Sequence, residues 1–424
     1  MMKKSIWKKA VAVGAAAAMT ISVGGSLVWA EGGDKKTINI FTLYSESNSD
    51  AGAAYFREAL AEAQEAFPDY ELVHETADVE TYKTKIKAMV AADEVPDIFF
   101  AWGAGFVKPF VDAGKVMALD EYMDEETNSR LLAGANDEFL FDGKTYGLTS
   151  YKWIGALYCN TELFEKYEVK IPETYEELMT ACKTFREAGL NPMVVGMKDK
   201  WPGQQYLNEF TVQLAGSEET NKMASKETSF DNEYLAKAAQ LTKDLVDAGA
   251  FNDGALGLTR DESEAAFLQG EVPMNFTGSW FSELTSGENS KVDGKVTAVR
   301  FPVVEECKDV NNFFGGAING LCVAADCEYP EETAEVCKFL AEHSAIADGG
   351  LVTWEVPEEA KASVHSLNQE IIEFSKDAAG YSLAWDTLLE AADAQEWLNL
   401  VAQLFGGEVE SGEAFAKTLQ DTIG

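Results

Sequence analysis

Seven tryptophans stand beyond residue 30, and six of them fall where no regular element is expected. Trp102, Trp153, Trp201, Trp280, Trp354 and Trp385 sit in loops or at element ends. Trp397 shares a helical stripe with Val401, Leu404 and Phe405 and reads as core. A flat ring at a loop tip offers rigid apolar area at small entropic cost, which suits a ligand clamp; its plainer use is to pack an edge of the fold. Polar partners for such rings would be Tyr44 and Glu46 after the first strand, Asp97 beside a strand, Asn275, Glu355 and Asp386. Gly316 would let backbone approach a ligand closely. With 72 carboxylates in the chain, a lone Asp or Glu is by default a solvated one.

Covalent chemistry has less to stand on. The sequence holds no G-x-S-x-G elbow and no Cys/His nucleophile arrangement. Its three histidines, His74, His343 and His365, are far apart, which argues against a His-based zinc site. None of the six cysteines forms a CxxC pair. Cys182 and Cys337 lie on apolar helix faces, and spacing leaves open whether Cys322 pairs with Cys327 or Cys337. No cofactor and no metal are expected.

The candidate rings must be held by a scaffold of alternating strands and helices. Ile38, Ile40 and Leu43 alternate with polar residues as a first strand. Phe56, Leu60, Ala63 and Phe67 then follow helical spacing, and 70–74 reads as a second strand. Tyr82, Ile86, Met89 and Val90 mark another helix, and 95–100 a third strand. This β-α-β-α-β order implies a mainly parallel sheet covered by helices, with ligands bound outside the carboxyl ends of the strands. Tyr44 and Trp102 both follow such ends. Farther on, Thr174 and Glu177 form a capping-box pattern ahead of Leu178, Cys182 and Phe185. Trp201 is expected in a polar loop, and Trp280 just after a strand at 272–276.

The chain has 424 residues, long for one core, and carries 34 Lys and Arg against 72 Asp and Glu, a formal charge of −38. Such an acidic surface repels nucleic acid and anionic lipid alike. Lys3, Lys4, Lys8 and Lys9 precede an apolar, Ala-rich run at 10–28, with small residues around Trp29. That is the order of a secretory signal peptide over residues 1–30, the alternative being an uncleaved membrane anchor. No Cys follows the run to take a lipid, so an extracytoplasmic location without a lipid anchor is expected.

Residues 141–164 read as a strand leaving one unit and a second strand entering another. Here a resemblance becomes visible, spread over nearly the whole chain beyond residue 30. Its pieces are Pro96-Asp97-Ile98-Phe99, Asp142-Gly143-Lys144-Thr145-Tyr146-Gly147-Leu148, Asn160-Thr161-Glu162-Leu163-Phe164 and Pro172-Glu173-Thr174-Tyr175. Ala265-Ala266-Phe267-Leu268-Gln269-Gly270, Gly278-Ser279-Trp280 and Phe301-Pro302 complete it. In order and spacing the chain resembles the extracellular solute-binding proteins of ABC importers, in the carbohydrate-binding group that includes maltose-binding proteins.

The resemblance implies an α/β, two-lobe, periplasmic-binding-protein-like fold of the class II type. Three interlobe crossings are expected near 149–152, 298–301 and 344–349. Lobe one would hold 31–150 and 300–345, and lobe two 151–299 and 346–424. It further implies a monomer that takes a sugar, expected to be an oligosaccharide, into an interlobe cleft and hands it to a membrane permease. A sugar has apolar C–H faces and a rim of hydroxyls, so such a site needs flat rings and planar polar groups. Two alternatives stay open: a polyamine or other cation held by carboxylates and rings, and an exported glycoside hydrolase, which needs two carboxylates across a cleft.

Overall fold

The computed structural model describes residues 35–45 and 51–424. The expected signal segment and Glu46 lie outside the described residues.

The first sheet runs β2 (Tyr70–Thr76), β1 (Lys36–Thr42), β3 (Ile98–Trp102), β12 (Asn319–Val323) and β6 (Leu148–Thr149). The first three strands are parallel, Ile40 lying opposite both His74 and Ile98. β12 joins β3 antiparallel, with Asn319 opposite Trp102. Two crossover helices, Ala51–Ala66 and Val79–Ala92, connect the parallel strands. Asp78 caps the second by accepting from the Thr81 N–H at 3.0 Å, so that helix begins in register just past the end of β2. Ile38, Ile40, Phe99 and Phe100 pack with Tyr82, Leu340 and Trp354 as the core of this lobe. A short hairpin, β4 (Leu140–Phe141) and β5 (Lys144–Thr145), carries the Asp142-Gly143 turn, where both residues take positive φ.

The second sheet is centred on β7 (Trp153–Asn160), every residue of which is buried. β9 (Met274–Gly278), β10 (Val296–Val299) and β11 (Asn312–Gly316) pair with it antiparallel. β8 (Met193–Val194) and β13 (Gly380–Ser382) lie at the edges. A strand covered on both faces must be apolar throughout, and Ile154, Leu157 and Tyr158 meet that demand from both sides. Helix Tyr175–Glu187 starts with the expected capping box: Thr174 Oγ1 accepts from the Glu177 N–H and the Glu177 carboxylate accepts from the Thr174 N–H, both at 3.3 Å.

The chain leaves the first sheet after Thr149 and enters the second at Trp153. Its return differs from expectation. Phe301 and Val304 belong to the second lobe's core, and β11 pairs Gly315 with Ile154 and Gly316 with Trp153. The crossing back therefore falls at 317–318, between β11 and β12, not at 298–301. Phe313 and Phe314 lie side by side with no alternation that marks this strand in the sequence. The third crossing is also later than 344–349. Ala345, Val352 and Trp354 still pack in the first core, while Leu367 and Ile371 belong to the second lobe. Helix Pro330–Asp348 lies along helix Ala51–Ala66, and its burial keeps the following residues on that side. All six cysteines are free thiols.

Candidate functional site

A cavity of about 740 Å³ opens between the two sheets, within the range of roughly 300–1,000 Å³ usual for small-molecule sites. Its first wall comes from the carboxyl ends of β1 and β3, which deliver Leu43, Tyr44, Phe100 and Trp102, and from helix Val79–Ala92, which delivers Glu80, Lys83, Thr84 and Lys87. The crossing segments supply the floor with Tyr151, Trp153, Phe314 and Asn319. Opposite stands a wall of Lys198, Trp201, Gln204, Gln205, Arg260, Trp280 and Asp386.

The rings form two clusters. On the first wall Trp102 stands edge-on to Phe100 at 4.8 Å and to Phe106 at 5.0 Å, and Tyr44 meets Phe100 at 5.4 Å. Across from them Trp153 is edge-on to Phe314 at 4.9 Å and to Trp280 at 5.1 Å, with Trp201 next to Trp280 at 6.3 Å. Edge-to-face packing of this kind holds each ring by its neighbours. Gly278 has a specific duty here: a Cβ on it would lie 2.1 Å from the Trp280 ring. The sequence Gly278-Ser279-Trp280 thus lets the indole fold back over the end of β9.

Polar groups in the lining are unevenly satisfied. Tyr151 Oη accepts from Asn319 Nδ2 at 2.6 Å. Gln204 Oε1 accepts from the Trp397 indole at 2.6 Å and from the Asp386 N–H at 3.1 Å, which fixes its amide. Among the described residues, three buried lining atoms have no partner: the donor Trp280 Nε1 and the acceptors Gln205 Oε1 and Asn319 Oδ1. Leaving such an atom unpaired costs on the order of 1–3 kcal/mol, so each is a place where a ligand group gains most.

Charges from the two lobes meet across the cavity. Burial pushes the Asp386 carboxyl up, opposed by Lys83, Gln204 and Lys87. Burial and the neighbouring Lys83 push the Lys87 ammonium down, opposed by Glu80 and Asp386. Asp199 is raised by burial and steadied by the Arg260 backbone N–H at 2.8 Å. No group of three or more His, Cys, Asp or Glu placed to hold a metal ion occurs among the described residues.

Of the expected site residues, Tyr44, Trp102, Trp153, Trp201, Trp280 and Asp386 line the cavity. Trp201 does so from the first turn of helix Trp201–Ala215 rather than from a loop. Six others are placed elsewhere, each for a physical reason. Asp97 sits at the far, amino end of β3 and accepts from Asn39 N–H at 2.7 Å and Asn39 Nδ2 at 3.1 Å, a tie between strands. Asn275 is enclosed in the middle of β9, its amide 3.5 Å from Glu264. Gly316 has φ of 143° and no room for a Cβ beyond 3.0 Å from Leu383, so it admits a neighbouring side chain rather than a ligand.

Trp354 is fully buried in the first core and donates to Thr149 O at 2.6 Å. Trp385 is fully buried against Trp397 and Phe230. Glu355 points to solvent while its N–H donates to Arg130 O. Glu46 lies outside the described residues. The lining residues that sequence reasoning missed include Lys83, Lys87, Gln204, Gln205, Arg260 and Asn319. For the two lysines a signal existed: they sit four apart on the polar face of a helix that begins where a parallel strand ends.

The comparisons with known proteins agree with this geometry. The family profile described as bacterial extracellular solute-binding protein matches residues 47–346. A solved structure from work on xylan utilization by the thermophilic bacterium Caldanaerobius polysaccharolyticus is 36% identical. It covers 92% of this chain and 100% of that one, with a TM-score of 0.86. A chitin oligosaccharide binding protein, 24% identical over 92% of this chain and 98% of its own, has a TM-score of 0.80 and shares the fold. The melibiose/raffinose/stachyose-binding protein MelE of Bacillus subtilis is 20% identical over 72% of this chain and 70% of its own length. Binding proteins of Brucella abortus are 26% identical, and the chain spans 59% of their length. The chain belongs to the bacterial extracellular solute-binding proteins.

Proposed function

We propose that this protein binds an oligosaccharide in the cavity between its lobes, outside the cytoplasm, and delivers it as a monomer to the permease of an ABC importer. The observation that carries the reading is the pairing of two facing ring clusters with three buried, unpartnered polar atoms, Trp280 Nε1, Gln205 Oε1 and Asn319 Oδ1. A sugar ring satisfies both demands at once. Its C–H faces lie on indole and phenyl surfaces, and each hydroxyl both donates and accepts, so one chemical group answers an orphan N–H and an orphan carbonyl. The names of relatives that bind melibiose, raffinose, stachyose or chitin oligosaccharides support the same class.

Binding works by closure. Tyr55 on the first lobe donates to Glu283 on the second at 2.8 Å, and Gly105 abuts the backbone of Leu388 and Leu389. A ligand that touches both walls favours this closed arrangement over an open one by its differential contacts. The closed shape is then what a permease reads. A polyamine is the poorer fit, because Lys83, Lys87, Lys198, Lys200 and Arg260 already line the cavity. Among the described residues no helix is long and apolar enough to cross a membrane.

The test is calorimetry over mono- and oligosaccharides with product analysis on the same mixtures. Tight binding with the sugar recovered intact is expected. Turnover of a bound oligosaccharide would replace the receptor reading with the hydrolase one.

A further inference from the structure

The cavity reverses the charge balance of the chain that surrounds it. Over the whole sequence acids outnumber bases, 72 to 34. Among the described residues, five bases around the cavity, Lys83, Lys87, Lys198, Lys200 and Arg260, face three acids, Glu80, Asp199 and Asp386. The partners of these bases differ. Lys83 pairs with Glu80 at 3.2 Å, Arg260 with Asp261 at 2.6 Å and Glu264 at 3.6 Å, and Lys200 donates to Asn399 at 2.7 Å. Lys87 has no carboxylate within ion-pair distance among the described residues; its ammonium lies 5.0 Å over the Phe106 ring. Lys198 likewise has none.

We propose that the ligand is an acidic oligosaccharide, one whose sugar carries a carboxylate such as a hexuronic acid, and that Lys87 receives that group. The inference rests on the oligosaccharide reading above. A protein this acidic repels anions at long range, so a local excess of cationic side chains in its one described interlobe cavity has to be met by the ligand itself. Lys87 is placed for it: it stands beside the ring cluster of Trp102 and Phe106, so a sugar lying on those rings brings a ring substituent to its ammonium. Partial burial and Lys83 press on the charge of Lys87, and the opposite charge of a ligand anion offsets both.

The charge count also chooses among anions. A dianionic phosphate would meet Glu80 from one wall and Asp386 from the other, both acting on Lys87, and would call for the fork of an arginine, whereas Arg260 is already engaged by two carboxylates. A single carboxylate matches an excess of this size, and Lys reads it as a point charge.

The experiment measures affinity on the full chain for matched pairs: xylotriose against xylotriose bearing one glucuronic acid, and maltotriose and cellotriose against trigalacturonate. The carboxylated member of a pair should bind about tenfold tighter or better. That ratio should fall toward one in Lys87→Gln, survive in Lys87→Arg, and narrow in 1 M salt. Lys87 lies off the core stripe of its helix, which is Tyr82, Ile86 and Met89, so both variants should fold. Neutral members binding as tightly as the carboxylated ones would overturn the acidic-ligand proposal and leave the oligosaccharide reading standing. Failure of every member to bind would remove the oligosaccharide reading, and this one with it.

Discussion

Two helices face each other across the cavity, and they are built on opposite plans. Helix Val79–Ala92 is an ordinary surface helix: only Tyr82, Ile86 and Met89 are buried, and the face with Glu80, Lys83 and Lys87 turns to the cavity. Helix Trp201–Ala215 is enclosed on nearly every side, and Gln204, Gln205, Asn208, Glu209 and Gln213 are all buried polar residues on it. Gln213 illustrates the consequence. It donates to Glu209 at 2.8 Å and to Pro302 O at 3.2 Å, and accepts from the Val304 N–H at 2.9 Å. Such a network fixes the second wall in place, whereas the first wall presents the cationic ends of Lys83 and Lys87, held over Trp102 and Phe106. The difference suggests a division of labour: the second wall sets the shape that a ligand must match, and the first wall closes over it and sets its charge.

The largest expected effect concerns the buried carboxyls behind and between these walls. Burial pushes Glu209 up to about 7 against help from Gln213 and Arg300, and pushes Asp348, at the end of helix Pro330–Asp348, up to about 7 as well. Their unfolded values are near 4.5 and 3.8, so between those and 7 the folded chain holds the extra protons. Stability from these groups is therefore full below about pH 4 and declines as pH rises to 7. Glu209→Gln should remove a decline on the order of 3 kcal/mol, read as the difference in denaturant midpoint between pH 5 and pH 8 for variant and parent. An unchanged pH slope would mean that the enclosed helix carries no such load.

Affinity should respond more at the second wall than at the first. Trp280→Ala is expected to weaken sugar binding about 30-fold, roughly 2 kcal/mol, by removing the ring that Trp153 and Trp201 hold. Closure itself is addressed at Gly105, where a Cβ would come within 2.2 Å of Leu389 O. Gly105→Val should lower affinity about tenfold, and small-angle scattering with ligand should report a wider shape than the parent. A variant that closes fully would show that this contact does not belong to the bound state. Trp102→Ala is expected to cost least, about fivefold, because the first wall keeps Tyr44, Phe100 and Phe106. If Trp102→Ala and Trp280→Ala weaken binding equally, the contrast between the walls fails.

The tryptophans show how far sequence reasoning reaches. Trp102, Trp153, Trp201 and Trp280 line the cavity, while Trp354 and Trp385, which share their irregular surroundings in sequence, are core. Nothing local separates the two groups. Trp354 is buried because helix Pro330–Asp348 packs on Ala51–Ala66 and draws the next residues beneath Thr149. Trp385 is buried because Trp397, from a helix further along, closes over it. Likewise Asp97 reads as a site carboxylate until its distance along β3 from the cavity is known. It stands at the amino end of the strand and Trp102 at the other.

The sequence by itself determined the alternation of strands and helices in the first lobe, the capping box at Thr174, the first passage between sheets and the family resemblance, because periodicity, caps and motif order are local or additive along the chain. The tertiary structure alone decided where β11 belongs, which rings are exposed, and that Lys83 and Lys87 from one lobe meet Asp386 from the other. Those facts depend on pairing between segments tens to hundreds of residues apart, and the burial that gives each side chain its role arises only when those segments meet.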